Sequence, residues 1–70
     1  MKAPKQAEIK RVREDLGMSQ AEFAKAFHLN KRTLENWEQG EVTPEGPSRV
    51  LLWLICHAPQ SILRLLKGSD

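Results

Sequence analysis

Lys31, Arg32 and Asn36 sit within the stretch "NKRTLENWEQG", and the chemistry open to them is recognition rather than bond-making. The planar guanidinium of an arginine can bond a guanine edge at two points, and an asparagine amide can do the same to adenine. Other chemistry has little to work with. Cys56 and His57 are adjacent, but neighbours on a helix point about 100° apart, and the apolar run around Cys56 hides the thiol and raises its pKa. A carboxylate pair, a metal-ligand spacing and a glycine-rich phosphate loop are all missing from the sequence. We therefore expect no enzymatic activity, no cofactor and no metal.

The elements that must hold these residues can be read from spacing and punctuation. Ile9, Val12 and Leu16 recur at helical spacing among charges, with Gly17 as a stop, so residues 6–16 form the first expected helix. Ser19 and Glu22 make an S-x-x-E capping box that starts a second helix through Phe27, with Ala21, Phe23, Ala24 and Phe27 as its apolar side. After His28 and Leu29, Asn30 caps a third helix, Lys31 to Gln39, and Gly40 ends it. "EVTPEGPS" is a loop, and Pro47 suits the first turn of a fourth helix running to about His57. Ala58-Pro59 breaks that helix, and Ile62, Leu63, Leu65 and Leu66 mark a short fifth one. The polar end "KGSD" follows. With no strand-like alternation and no repeat, the expected fold is a single all-α domain over residues 1–70, with residues 1–5 and 68–70 flexible.

Seventy residues lie near the lower limit for one self-sufficient core. Cys56 is the single cysteine, so neither a disulfide nor a cysteine-rich zinc site can staple the fold. A reducing, cytoplasmic setting is expected. The opening residues lack the apolar core of a secretion signal, and the longest apolar run, "VLLWLIC", is far too short to span a bilayer. Net charge is only +2, but residues 1–35 hold 8 Lys/Arg against 5 Asp/Glu, while residues 36–70 hold 3 against 4. A basic first half is compatible with a polyanion partner and equally with a solvated surface.

On a helical wheel, Leu34, Trp37 and Thr33 gather on one side of helix three, while Arg32, Glu35 and Asn36 point away and Lys31 flanks them. An ordinary amphipathic helix could look the same. The context argues otherwise, because a short helix, a link of about three residues and a capped second helix form the helix-turn-helix layout, whose second member enters the DNA major groove. "LGMSQAEFAKAFHLNKRTLENWEQG" resembles the Cro/C1-type (XRE) helix-turn-helix of phage and bacterial repressors, through "MSQAEFA", the apolar residue before Asn30, "RTL" and "WEQG". The resemblance implies a compact five-helix, lambda-repressor-like fold with the helix-turn-helix at about residues 19–39. It further implies a double-stranded DNA operator as partner and a role as transcription regulator, associated with the nucleoid when bound. Carried over by position, it implies that Lys31, Arg32 and Asn36 contact bases, that Gln20 meets a phosphate, and that Asn30 and Thr33 lie near the DNA backbone. It also pairs Arg13 with Glu38 as a structural strut. Gln20 sits independently where backbone N–H groups and the helix dipole favour an anion.

Two positions depart from the family pattern. His28 replaces the usual turn glycine and is expected at positive φ, as a turn residue rather than a ligand. The loop after helix three carries Glu41 and Glu45 where relatives often have cations, leaving Arg49 as the nearest positive charge for a phosphate. Glu35 can accept from a cytosine amino group or pair with Lys31 or Arg32, and the pairing is the expected arrangement.

"VLLWLIC" is apolar on every helical face, although a surface helix should show only a stripe. Val50, Leu51, Leu54 and Ile55 are expected to face the core, turning Leu52, Trp53 and Cys56 outward near Leu63 and Leu66. Either helix five covers that side or a second subunit does, and a two-fold homodimer through Leu52, Trp53, Cys56, Leu63 and Leu66 is the expected arrangement. "RTLENWEQG", followed by "TPEGPSRVLL" and "APQSILRLL", is also similar to antitoxin repressors of HigA-like toxin–antitoxin modules. That resemblance implies self-repression as a dimer and a toxin protein as partner. A protein–protein module without DNA binding is the remaining alternative.

Overall fold

Local capping signals decide where the second and third helices begin. The computed structural model describes residues 2–68; Met1, Ser69 and Asp70 lie outside the described residues, and with them the outer ends of both segments expected to be flexible. Five helices follow in order: α1 (Gln6–Asp15), α2 (Gln20–Ala26), α3 (Lys31–Gln39), α4 (Pro47–His57) and α5 (Pro59–Gly68), with no strand among the described residues. Ser19 Oγ accepts from the Glu22 N–H at 3.1 Å, and the Glu22 carboxylate accepts from the Ser19 N–H at 2.9 Å. This is the reciprocal box read from S-x-x-E. Hydrogen bonding to Ser19, from its N–H first and from its side chain second, holds the Glu22 carboxyl pKa below its ordinary value.

The core is built by Ile9 from α1, Phe23, Ala24 and Phe27 from α2 and its end, Leu34 and Trp37 from α3, and Leu52 and Ile55 from α4. Phe23 and Phe27 stack as a tilted pair with ring centroids 4.7 Å apart. Each large side chain so buried contributes roughly 1.5–3 kcal/mol of transfer free energy. Ala21, placed on the apolar side of helix two by the wheel, is exposed instead.

In the N-terminal segment Pro4 is buried. Ala3, Pro4 and Lys5 border a hollow of about 390 Å³ with Trp37, Gly40 and Pro44. At the other end, α5 extends through Lys67 and Gly68. α5 turns back from α4 at 112°, and Ile62, Leu63 and Leu66 pack from it against the core.

The roll of α4 is the main difference from the wheel. Leu52 and Ile55 are 0% exposed, whereas Val50 is 42% and Leu54 38% exposed. The buried face therefore lies about one residue, roughly 100°, away from the expected one. Because the helix is apolar all round, its own sequence has no preferred side; the sharp return of α5 and the position of α1 choose it. Leu52, expected on a face between subunits, is covered by its own chain. No single described helix is long and apolar enough to cross a membrane.

Candidate nucleic-acid interface

α3 is held by little and displays much. Leu34 is fully buried and Trp37 nearly so, while Lys31, Arg32 and Gln39 are exposed and Thr33, Glu35 and Asn36 are half-buried. Asn30 Oδ1 accepts from the Thr33 N–H at 3.1 Å, so the amide oxygen of Asn30 is used up as a cap and its amino group is what remains to offer an anion. The helix stops at Gly40, whose φ of +77° is left-handed and whose N–H bonds the Trp37 carbonyl at 3.1 Å. The left-handed φ is what favours glycine here; the Gln6 carboxamide of α1 also lies against Gly40, where a side chain would have to displace it. Nothing in the sequence signalled the Gln6 contact, because it joins residues far apart in the chain.

The turn that aims α3 at the solvent is made by His28, with φ +58°, in the conformation expected from its place in the motif. The Leu29 N–H bonds the Ala24 carbonyl at 2.7 Å and closes the turn. His28 is exposed.

α1 is fastened to α3 by one bidentate ion pair. Arg13 Nε donates to Glu38 at 2.8 Å and its Nη2 to the other carboxylate oxygen at 2.9 Å. The Arg13 Nη1 donates to the Met18 carbonyl at 3.0 Å, tying in the α1–α2 link. The two side chains are 13% and 4% exposed, and the hydrogen bond to Glu38 raises the Arg13 pKa above its already high ordinary value. Gln20, at the start of α2, donates from Nε2 to Glu38 at 3.3 Å. Since a carboxylate only accepts, the Gln20 amide has one possible orientation, with its carbonyl oxygen turned away from Glu38. Residue spacing did not reveal this third member of the network.

Glu35 does not take the partner expected for it. The ion pairs among the described residues are Arg13–Glu38 and an exposed Arg11–Asp15 contact at 4.0 Å, and neither Lys31 nor Arg32 is in one. The order explains why: a lysine four residues before a glutamate is the weaker arrangement, opposed by the helix dipole. Arg49 is exposed in the first turn of α4, across the loop from α3, and no hydrogen bond joins it to the other candidates among the described residues.

On the other side of the molecule, Trp53 and His57 stack at 4.0 Å, and His57 Nδ1 lies 2.8 Å from the Trp53 carbonyl. Cys56 is half-buried, and desolvation, with a smaller push from Glu8, raises its thiol pKa to about 11. The thiol therefore stays protonated at neutral pH, and the neighbouring imidazole is held elsewhere. No group of three His, Cys, Asp or Glu converges as a metal site among the described residues. Of the expected inter-subunit residues, Trp53, Cys56, Leu63 and Leu66 are half-buried, the last three packing on the core; Val50 and Leu54 of α4 and Leu65 of α5 are open apolar groups on this side, and Val42 is another in the loop before α4.

A helix-turn-helix family model matches residues 9–59. Over 55 residues, 79% of this chain, the sequence is 44% identical to antitoxin HigA-2 of Vibrio cholerae, and the match covers 53% of that protein. Over 43 residues, 57% of this chain, it is 51% identical to the type II methyltransferase M.SsoII of Shigella sonnei, covering 11% of that protein. The chain thus spans about half of the antitoxin and a small part of the methyltransferase. Among solved structures, an HTH XRE-family like protein from Agrobacterium tumefaciens aligns with a TM-score of 0.76 at 36% identity, covering 84% of this chain and 95% of the other.

Proposed function

Because the chain belongs to the helix-turn-helix family, of the XRE type, we propose that it is a sequence-specific transcriptional repressor that binds a palindromic double-stranded operator as a homodimer. In this reading α3 enters the major groove, Lys31, Arg32 and Asn36 read base edges, and Gln20, Asn30, Thr33 and Arg49 contact the phosphate backbone. The observation that carries it is the surface of α3: two buried anchors, and a polar face whose cations are in no ion pair among the described residues. Groups left in that state supply donors to phosphates and base edges without first breaking bonds of their own. The role is binding, in the cytoplasm and on the nucleoid.

The dimer face is assigned to the outer side of α4 and to α5, where Val50, Leu54 and Leu65 stay exposed beside Trp53. The domain measures 32 × 25 × 19 Å, a size at which two abutting copies can set their α3 helices about 34–36 Å apart, one turn of DNA. Titrating a mixed-sequence duplex with the protein tests the DNA reading. Affinity should fall by roughly a thousandfold or more between 50 and 200 mM salt if at least six phosphates are contacted. A flat salt response would instead favour a protein–protein module.

The 44% identity to antitoxin HigA-2 favours a second reading, in which the repressor is the antitoxin of a toxin–antitoxin module, controls its own operon and binds a toxin. Co-expression with the product of the adjacent reading frame tests it: a stable complex and relief of growth arrest are expected, and the absence of both removes the toxin partner.

A further inference from the structure

We propose that Glu35 is a specificity-determining residue of the α3 reading face, selecting cytosine by accepting from its exocyclic amino group. The inference rests on the DNA-binding reading above and adds a base to it. Glu35 follows Arg32 by three residues, about 60° away around the helix, and directly precedes Asn36. It therefore borders Arg32 on one side of the reading face, with Asn36 about 40° beyond Arg32 on the other. No hydrogen bond or ion pair engages its carboxylate among the described residues, although Lys31 and Arg32 are within sequence reach. Unlike Glu41 and Glu45 in the loop, which are exposed, Glu35 is half-buried, so neighbouring side chains restrict where it can point.

An ionised carboxylate accepts and cannot donate. Against DNA it is repelled by phosphates and by the acceptors that dominate the major groove: guanine N7 and O6, adenine N7 and thymine O4. Two groups there can donate to it, the amino groups of cytosine and adenine. The adenine amino group lies between adenine N7 and thymine O4, both acceptors, so a carboxylate approaching it meets repulsion on either side. The cytosine amino group has an acceptor, the paired guanine O6, on one side only. A desolvated carboxylate that finds no donor costs affinity, so Glu35 penalises every site lacking cytosine at its position, by roughly tenfold.

Selection from a randomised duplex library, sequenced for the wild type, Glu35→Gln and Glu35→Ala, tests the assignment. Glu35→Gln keeps size and shape but both donates and accepts, and a glutamine matches adenine. We expect a wild-type motif with one cytosine that becomes adenine-preferring in Glu35→Gln and loses preference in Glu35→Ala, the rest of the motif unchanged. A carboxylate that merely repels DNA would give tighter binding of both variants to every sequence with the same motif, and that result overturns the proposal. Loss of a guanine in place of the cytosine would mean that Glu35 acts by positioning Arg32, and also overturns it. A wild type that enriches no motif at all would defeat the DNA-binding reading itself, and this inference with it.

Discussion

α3 and α4 share one small core and solve opposite problems in it. α3 has two large apolar anchors, Leu34 and Trp37, and a polar remainder; α4 also buries two, Leu52 and Ile55, but its remainder is apolar. The amount of side chain given to the core is similar. What differs is the leftover face, and that difference carries the functional information: a polar face with unpaired cations suits a polyanion, whereas an exposed apolar strip suits another protein surface. The means of attachment differ too. α3 is additionally locked to α1 through Arg13 and Glu38, which fixes the angle of a helix that must present side chains accurately.

The comparison breaks most easily at that lock. Arg13→Ala leaves the Glu38 carboxylate stranded and should cost about 3–5 kcal/mol in urea or thermal unfolding. Replacing both partners together by apolar residues should cost far less, and an equal cost would mean that packing rather than charge holds α3. Next in size is Leu52→Ala, expected to lose about 2–5 kcal/mol as a cavity in the core. Leu54→Ala, on the exposed outer face of the same helix, should stay within about 0.5 kcal/mol for the monomer. Leu54→Asp should reduce the sedimenting species to a monomer while leaving the helical signal intact.

On α3 the expected effects are in binding and not in folding. Arg32→Ala and Asn36→Ala should each lose about 1–3 kcal/mol at one operator base pair with unchanged melting, whereas Gln20→Ala should weaken all sequences alike. A footprint insensitive to both α3 changes would remove the reading face. Smaller still is the turn between α2 and α3: His28→Gly relieves a left-handed backbone at some cost in chain entropy, for a net gain of about 0.5 kcal/mol. The least effect is expected from pH at the α2 cap. Because Glu22 has a lowered carboxyl pKa in the folded state, its contribution is present above the unfolded pKa and is lost as pH falls through the folded one. Ser19→Ala should flatten that acid-side slope in melts taken across the carboxylate range.

Much of this was legible in the residues alone because the relevant signals are local. Ser19 with Glu22, Asn30, Gly40 and Pro47 mark helix ends within a single turn of chain, and the positive φ of His28 follows from the motif it completes. Leu34 and Trp37 were identifiable as anchors because α3 is amphipathic, so one side is clearly preferred. Where a helix lacks such a contrast its core side is undetermined: nothing within "VLLWLIC" distinguishes Leu52 from Leu54, and Leu52, expected outward, is buried.

What the sequence determined, then, is the order of five helices, the capped ends of α2 and α3 and the polar face of α3, since capping and periodicity act over a few residues. Tertiary structure decided the roll of α4, the seat of Gln6 against Gly40, the tie from Gln20 to Glu38 and the unpaired state of Glu35. The first three depend on groups brought together from distant parts of the chain. The last depends on which of several sterically allowed local pairings the folded helix adopts, and sequence spacing states only that such a pairing is within reach.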